Sequence, residues 1–115
     1  MNRPDVIWIG AFPYTVTYSK AAIDAISVDK HSPLLGNTDH HNLSIIIDDT
    51  MAEQMIRDTL LHEILHAIWA TSGLIEFDDL TQEQMVSTVA PQLVYVLRSN
   101  PDLVAYLTST GEEQT

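Results

Sequence analysis

The sequence predicts an α+β domain in which a small, mainly antiparallel sheet packs against one long helix and further C-terminal helices. Short runs of β-branched residues occupy the first half of the chain, and residues 43–47, with three consecutive isoleucines, are the clearest of them. Residues 51–72 contain neither proline nor glycine, which is typical of a long helix. A length of 115 residues fits one domain. We expect residues 1–107 to form this domain and residues 108–115 to be a flexible tail.

The predicted strands lie at residues 6–9, 14–18 and 43–47, where β-branched and aromatic side chains favour an extended backbone. Residues 19–27 fit either a short helix or an irregular connection. Residues 31–42 are rich in proline, glycine, asparagine and aspartate, which predicts a loop.

The long helix is predicted to begin near Met51, because residues 48–50 offer side-chain oxygens for its N-cap, and to end at Gly73. At about 100° per residue, four of its residues fall on one apolar face. They are Leu61, Ile64, Leu65 and Ile68. His62 and His66 lie at the edge of this face, one helical turn apart.

Two more helices are predicted after a loop. Thr81 and Gln84 match a capping box, so a helix should start there. Pro91 is expected to kink or split it, because proline removes a hydrogen bond and displaces the preceding turn. Asn100 and Pro101 fit the N-cap and first position of a last short helix. Three of its residues should face inward, namely Leu103, Val104 and Leu107.

Composition excludes several classes of protein. Sixteen acidic and five basic residues give a formal charge of −11, which disfavours nucleic acid as a partner. A basic peptide or protein could be attracted by such a surface. There is no cysteine, so a metal would be held by histidine or carboxylate. No apolar stretch approaches the roughly 20 residues of a membrane span. We expect a soluble, cytoplasmic protein without a removable leader.

The segment His62-Glu63-Ile64-Leu65-His66 predicts a zinc site. Two imidazoles one turn apart on a helix can each present a nitrogen to one ion. Glu63 between them would accept a proton from a metal-bound water instead of binding the metal. With five histidines and six glutamates in the chain, the pattern would arise by chance about 0.01 times. A zinc-dependent hydrolase, most simply a peptidase, is therefore the leading hypothesis.

A catalytic zinc ion needs a third protein ligand. No histidine follows His66, and Glu83 in the first turn of the next helix is the favoured candidate. Asp79 and Glu76 come next, and Glu83 also suits a helix N-terminus without any metal. Less favoured are the histidines of the polar loop, which are His31, His40 and His41. The residue that would hydrogen-bond a developing oxyanion stays open among these histidines and three tyrosines, Tyr14, Tyr18 and Tyr95.

The residues 60–68 (LLHEILHAI), followed by Glu83 in the segment ExxVxxVAP, resemble small zinc metallopeptidases of the gluzincin class. The short phage-encoded members and the ImmA/IrrE and SprT-like groups are the most similar. The resemblance implies a minimal zincin fold, zinc held by His62, His66 and Glu83, and Glu63 as general base and acid. It also implies that the isoleucine strand forms the edge of the sheet, along which a peptide or protein substrate would add as a further strand. For a phage-encoded protein it implies the host cytoplasm as the location.

Two alternatives belong to other functional classes. One is a zinc-stabilised protein-binding module, or pseudopeptidase, that does not turn substrate over. The other is a metal-free regulatory or structural phage protein that uses the same scaffold for protein contacts.

Overall fold

A four-stranded mixed sheet forms the N-terminal half of the fold. The computed structural model describes residues 2–27 and 34–110, without the side chain of Ile75. The strands are Val6–Ile9 (β1), Phe12–Tyr18 (β2), Gly36–Asp39 (β3) and Ser44–Ile47 (β4), arranged in the order β1-β2-β4-β3. The β1–β2 and β3–β4 pairs are antiparallel, whereas β2 and β4 run parallel. The α+β class is confirmed, with a mixed sheet.

Strand β2 begins two residues earlier than predicted. Ile9 pairs with Phe12, so only Gly10 and Ala11 separate the two strands of the hairpin. Gly10 has a φ of +61°, a conformation that two-residue hairpin turns need and that glycine adopts without a steric penalty.

Strand β3 lies within the segment that was predicted to be a loop. Its sequence, GNTD, has little intrinsic strand propensity. It is extended because it pairs with β4 on one side and packs on a helix below. The expectation that the isoleucine strand forms the edge is therefore wrong: β4 lies between β2 and β3, and β3 is the edge strand.

Four α-helices follow or interrupt the strands. They are Lys20–Ile26 (α1), Glu53–Thr71 (α2), Gln82–Ser99 (α3) and Pro101–Leu107 (α4), with a 3-10 turn at Leu74–Glu76. Helix α1 settles the open choice for residues 19–27, and the side chain of Ser19 caps its N-terminus by accepting from Ala22 N. None of the described helices combines the length and apolarity that crossing a bilayer requires.

The predicted end of α2 at Gly73 is confirmed, whereas the predicted start near Met51 and its side-chain cap are not. The helix starts at Glu53 after Ala52, which provides no side-chain cap. The carboxylate of Asp48 instead accepts hydrogen bonds from the backbone and hydroxyl of Thr50. Gly73 follows the last turn with a φ of +81°, the left-handed conformation common at helix C-termini.

Helix α2 packs one face on the sheet to form the core. Its buried apolar residues are Ile56, Leu60, Ile64, Ala67 and Ile68. The sheet contributes others, among them Ile7, Tyr14, Val16, Ile45 and Ile47. The buried stripe is rotated from the predicted one, so Leu65 is 39% exposed. The rotation places Glu63 on the inner face beneath the sheet, because it lies one turn beyond Leu60 and one turn before Ala67.

The C-terminal helices confirm the predicted capping box of Thr81 and Gln84. Helix α3 continues through Pro91 from Gln82 to Ser99, so the expected split does not occur. Leu103 is buried, whereas Val104 and Leu107 are half-buried.

The side chain of Asn100 does not cap α4. It accepts from Trp8 N and donates to Trp8 O, both at 2.9 Å, and so covers part of the outer edge of β1. Thr108 closes the last turn of α4. Residues 111–115 of the predicted tail, and His31, lie outside the described residues.

A buried charged cluster ties the chain ends to the start of α2. Arg3 donates to both carboxylate oxygens of Glu53 at 2.8 and 3.0 Å, and the Tyr106 hydroxyl also donates to Glu53. Arg57 Nε donates to the Tyr106 carbonyl at 3.0 Å. Hydrogen bonds from Arg3 and Tyr106, with the Arg3 charge, lower the pKa of Glu53 to about 2 despite its burial.

Replacing Glu53 by glutamine should lower the free energy of unfolding at pH 7 by about 2–3 kcal/mol, because the buried Tyr106 hydroxyl and the half-buried Arg3 guanidinium lose an ionised acceptor. The stabilisation is present above the ordinary pKa of a glutamate and is lost as pH falls from about 5 towards 2. The difference between wild type and variant in urea unfolding should therefore shrink in acid. Asp24→Asn, which breaks the exposed pair with Lys20, should cost far less, because solvent screens an exposed ion pair. Equal costs for the two variants would contradict this account.

Candidate metal centre

A cleft of about 610 Å³ opens between α2 and the edge strand β3. One wall is formed by five residues of α2, which are His62, Glu63, His66, Trp69 and Ala70. The opposite wall comes from β3 and the turn after it, including Thr38 and His40. Polar groups able to bind a metal and a substrate thus share one concave surface.

The two histidines of the motif lie side by side on the exposed edge of α2. Their Nε2 atoms are 3.2 Å apart, and their ring centroids are 4.8 Å apart. Two nitrogens bound to a tetrahedral zinc ion at about 2.05 Å would be about 3.3 Å apart. The spacing of His62 and His66 therefore fits two adjacent ligand positions of one zinc ion.

Glu63 lies below the histidines and is only 6% exposed. The hydroxyl of Thr38 lies 2.7 Å from Glu63 Oε1 and 3.0 Å from the Glu63 carbonyl oxygen, so its single hydrogen is shared between them. This contact fixes one carboxylate oxygen against β3. The carboxylate lines the cleft beside the histidines.

Gly36 allows this close approach of β3 to α2. A Cβ at this position would lie 2.8 Å from Thr59 Cγ2 and 3.1 Å from both Cγ and Oε2 of Glu63. Those distances are too short for ordinary carbon contacts. The absence of a side chain at Gly36 is therefore what brings the strand against the Glu63 carboxylate.

A third histidine, His40, lines the cleft from the turn after β3. Its Nδ1 is hydrogen-bonded to the hydroxyl of Tyr14, and its ring packs edge-on against Phe12 at 5.7 Å between centroids. Tyr14 is fully buried, and burial, with the nearby Asp39 charge, raises its pKa to about 12. From the sequence, His40 was expected to be a less favoured ligand in a polar loop, and the weak strand propensity of residues 36–39 gave no local signal that it lines the cleft.

The other candidates lie away from this cleft. Tyr18 donates to the Pro4 carbonyl, Tyr95 is exposed on α3, and His41 is exposed without lining the cleft.

Glu83 is not brought together with the two histidines. It accepts a hydrogen bond from Ser87 and lines a separate depression with Ser72 and Asp79. Ser72 lies six residues beyond His66, about 9 Å along the helix axis. Within residues 2–27 and 34–110, no three histidine or carboxylate side chains are grouped to hold a metal. Ligation by Glu83 stays a prediction, and it requires the first turn of α3 to move towards the cleft.

Comparison with known proteins does not assign this chain to a family. Searches against family models, curated proteins and solved structures found no significant match.

Gly36→Ala should lower the free energy of unfolding by about 1–3 kcal/mol, because the new methyl group overpacks the contact between β3 and α2. Adding Thr59→Ser removes the methyl group at 2.8 Å and should recover part of the loss. Urea unfolding of the single and double variants measures both effects. A Gly36→Ala protein as stable as wild type would show that the close approach is unimportant.

Proposed function

We propose that the protein is a zinc-dependent peptidase with its active site in the cleft between α2 and β3. The observation that carries the proposal is the 3.2 Å spacing of His62 Nε2 and His66 Nε2 beside the buried carboxylate of Glu63. Two zinc ligands and a general base are the parts that such a hydrolase needs from one helix. The resemblance to minimal zincins supports the same assignment.

His62 and His66 would hold the ion. When bound, zinc supplies a Lewis acid that polarises a peptide carbonyl and makes water acidic enough to act near neutral pH. Both imidazoles reach the solvent-facing side of α2, so an ion can enter without unfolding the helix. The third protein ligand in this proposal is Glu83.

Glu63 is the proton carrier. Its Oε1 is occupied by the Thr38 hydroxyl, which leaves Oε2 as the oxygen that can take a proton from the attacking water. The same oxygen can then return that proton to the leaving amine. Thr38 fixes the rotamer of Glu63 and keeps the carboxylate on the cleft side, so Thr38 is a positioning residue.

The edge strand provides a place for the substrate backbone. β3 pairs with β4 on one side only, and its four residues all line the cleft. An extended peptide can add to the free side of β3 by backbone hydrogen bonds, which would bring its carbonyl groups past the histidines. The acidic surface of the protein favours substrates with basic residues.

A second candidate function is peptide binding without turnover. One observation favours it: the described residues do not gather a third ligand with His62 and His66. An ion held by two protein ligands alone would bind weakly and would be a poor catalyst. The two functions share the edge strand and differ in the chemistry of Glu63.

Zinc affinity tests which residues bind the metal. His62→Ala and His66→Ala should each weaken zinc binding by more than about 100-fold. Residues that only hydrogen-bond a metal ligand already contribute about 10–100-fold to metal affinity, and loss of a ligand itself should cost more. His41→Ala is the matched control, because it removes an exposed histidine that does not line the cleft, and it should keep wild-type zinc affinity. Glu83→Ala should lower zinc affinity as well. Isothermal titration with zinc measures all four, and unchanged affinity in Glu83→Ala would place the third ligand elsewhere.

Measurement of catalytic turnover tests the proposed role of Glu63 as general base. Glu63→Gln should keep zinc and lower kcat on a labelled unfolded protein by about 10²–10⁴-fold, the usual contribution of a general base. Thr38→Val should lower kcat less, and Thr38→Ser, which retains the hydroxyl, should stay near wild type. Wild-type protein that binds zinc and peptide yet cleaves nothing would favour binding without turnover.

A further inference from the structure

We propose that His40 is a catalytic hydrogen-bond donor, which Tyr14 holds with its Nε2–H free to bind the carbonyl oxygen of a peptide in the cleft. This proposal rests on the proposed peptidase function for the identity of the bound group. The tautomer that it requires follows from contacts within the protein alone.

The first step concerns the hydroxyl of Tyr14. Tyr14 is fully buried in β2, and a buried hydroxyl almost always donates its hydrogen to an acceptor. Within the described part of the chain, the hydrogen-bond partner of this hydroxyl is Nδ1 of His40. The raised pKa of Tyr14, about 12, keeps the phenol protonated near neutral pH, so the hydrogen is present to be donated.

The second step concerns the imidazole. A nitrogen that accepts a hydrogen bond carries a lone pair, so in the neutral ring the proton sits on the other nitrogen. Nδ1 of His40 accepts from Tyr14, and Nε2 of His40 is therefore an N–H donor. A donor nitrogen has no lone pair left for a metal, which sets His40 apart from His62 and His66.

The third step concerns position. His40 is exposed and lines the cleft with His62, Glu63 and His66, while its Nδ1 side is fixed by a buried residue. The Phe12 ring packs at nearly a right angle to the His40 ring and limits its rotation. His40 directly follows the edge strand β3, so a peptide added along β3 would pass beside the His40 ring.

The chemistry is that of an oxyanion donor. A hydrogen bond from Nε2–H to a peptide carbonyl becomes stronger as negative charge builds on that oxygen. No proton has to move from His40 for this stabilisation. Losing one such donor typically lowers kcat by about 10²–10³-fold, and the larger effect falls on kcat instead of KM because the charge appears only in the transition state.

Nitrogen-15 NMR of histidine-labelled, zinc-loaded protein tests the tautomer without any turnover. We expect His40 Nε2 to show the shift of a protonated nitrogen and Nδ1 that of an acceptor. Tyr14→Phe should return the ring to a mixture of tautomers. A protonated Nδ1, or a His40 Nε2 resonance that changes on zinc addition as those of His62 and His66 do, would overturn the proposal.

Peptide contact is tested with Glu63→Gln, which binds peptide without cleaving it. The His40 Nε2–H proton should move downfield when an extended peptide is added, and no movement at saturation would refute the contact. This readout stands even where the wild type has no measurable turnover, so it separates failure of this proposal from failure of the peptidase assignment.

Kinetics supply the third test. His40→Ala should lower kcat by about 10²-fold or more with little change in KM or zinc affinity, and His40→Gln, whose amide can donate, should recover part of the loss. His41→Ala is the matched control and should behave as wild type. Loss of zinc in His40→Ala would make His40 a ligand and would contradict the donor role.

Discussion

The contact between β3 and the middle of α2 is the constraint on which the candidate centre depends. Without a side chain at Gly36, the strand comes within ordinary contact distance of Thr59 and Glu63, and Thr38 then reaches the Glu63 carboxylate. One close approach thereby creates the edge strand, the wall of the cleft and the fixed orientation of the central carboxylate. A bulkier residue at Gly36 would separate these three features, because the interior has no spare volume to absorb it.

The rest of the fold keeps α2 in place beneath that strand. The apolar face of the helix packs on the sheet, and the cluster of Arg3, Glu53 and Tyr106 joins its first turn to both ends of the described chain. Such a buried ionic cluster gives less net stability than its hydrogen bonds suggest, because its charges must first be desolvated. Its geometric effect is to hold the first turn of α2 against the segment before β1 and against α4.

The three histidines that line the cleft differ in the residues that they contact. His62 and His66 are neighbours of each other on an exposed helical edge, and their nitrogens have the spacing of two ligands. His40 is hydrogen-bonded through Nδ1 to a buried phenol, and in the proposal above this contact places the imidazole proton on Nε2. Three residues of one type that line one cleft thus have different surroundings, and the carboxylate of Glu63 lines the same cleft.

The sequence by itself determined the features that depend on local spacing. These are the long helix, the pairing of His62 with His66 one turn apart, the Thr81 capping box and the stop at Gly73, since each is set by residues a few positions apart. Tertiary structure decided what depends on distant residues. In the folded protein Gly36–Asp39 is a strand, the isoleucine strand lies inside the sheet, and Glu63 faces β3. It also placed His40 at the cleft and Glu83 outside it, because those positions follow from how separate elements pack and not from the periodicity of any one of them.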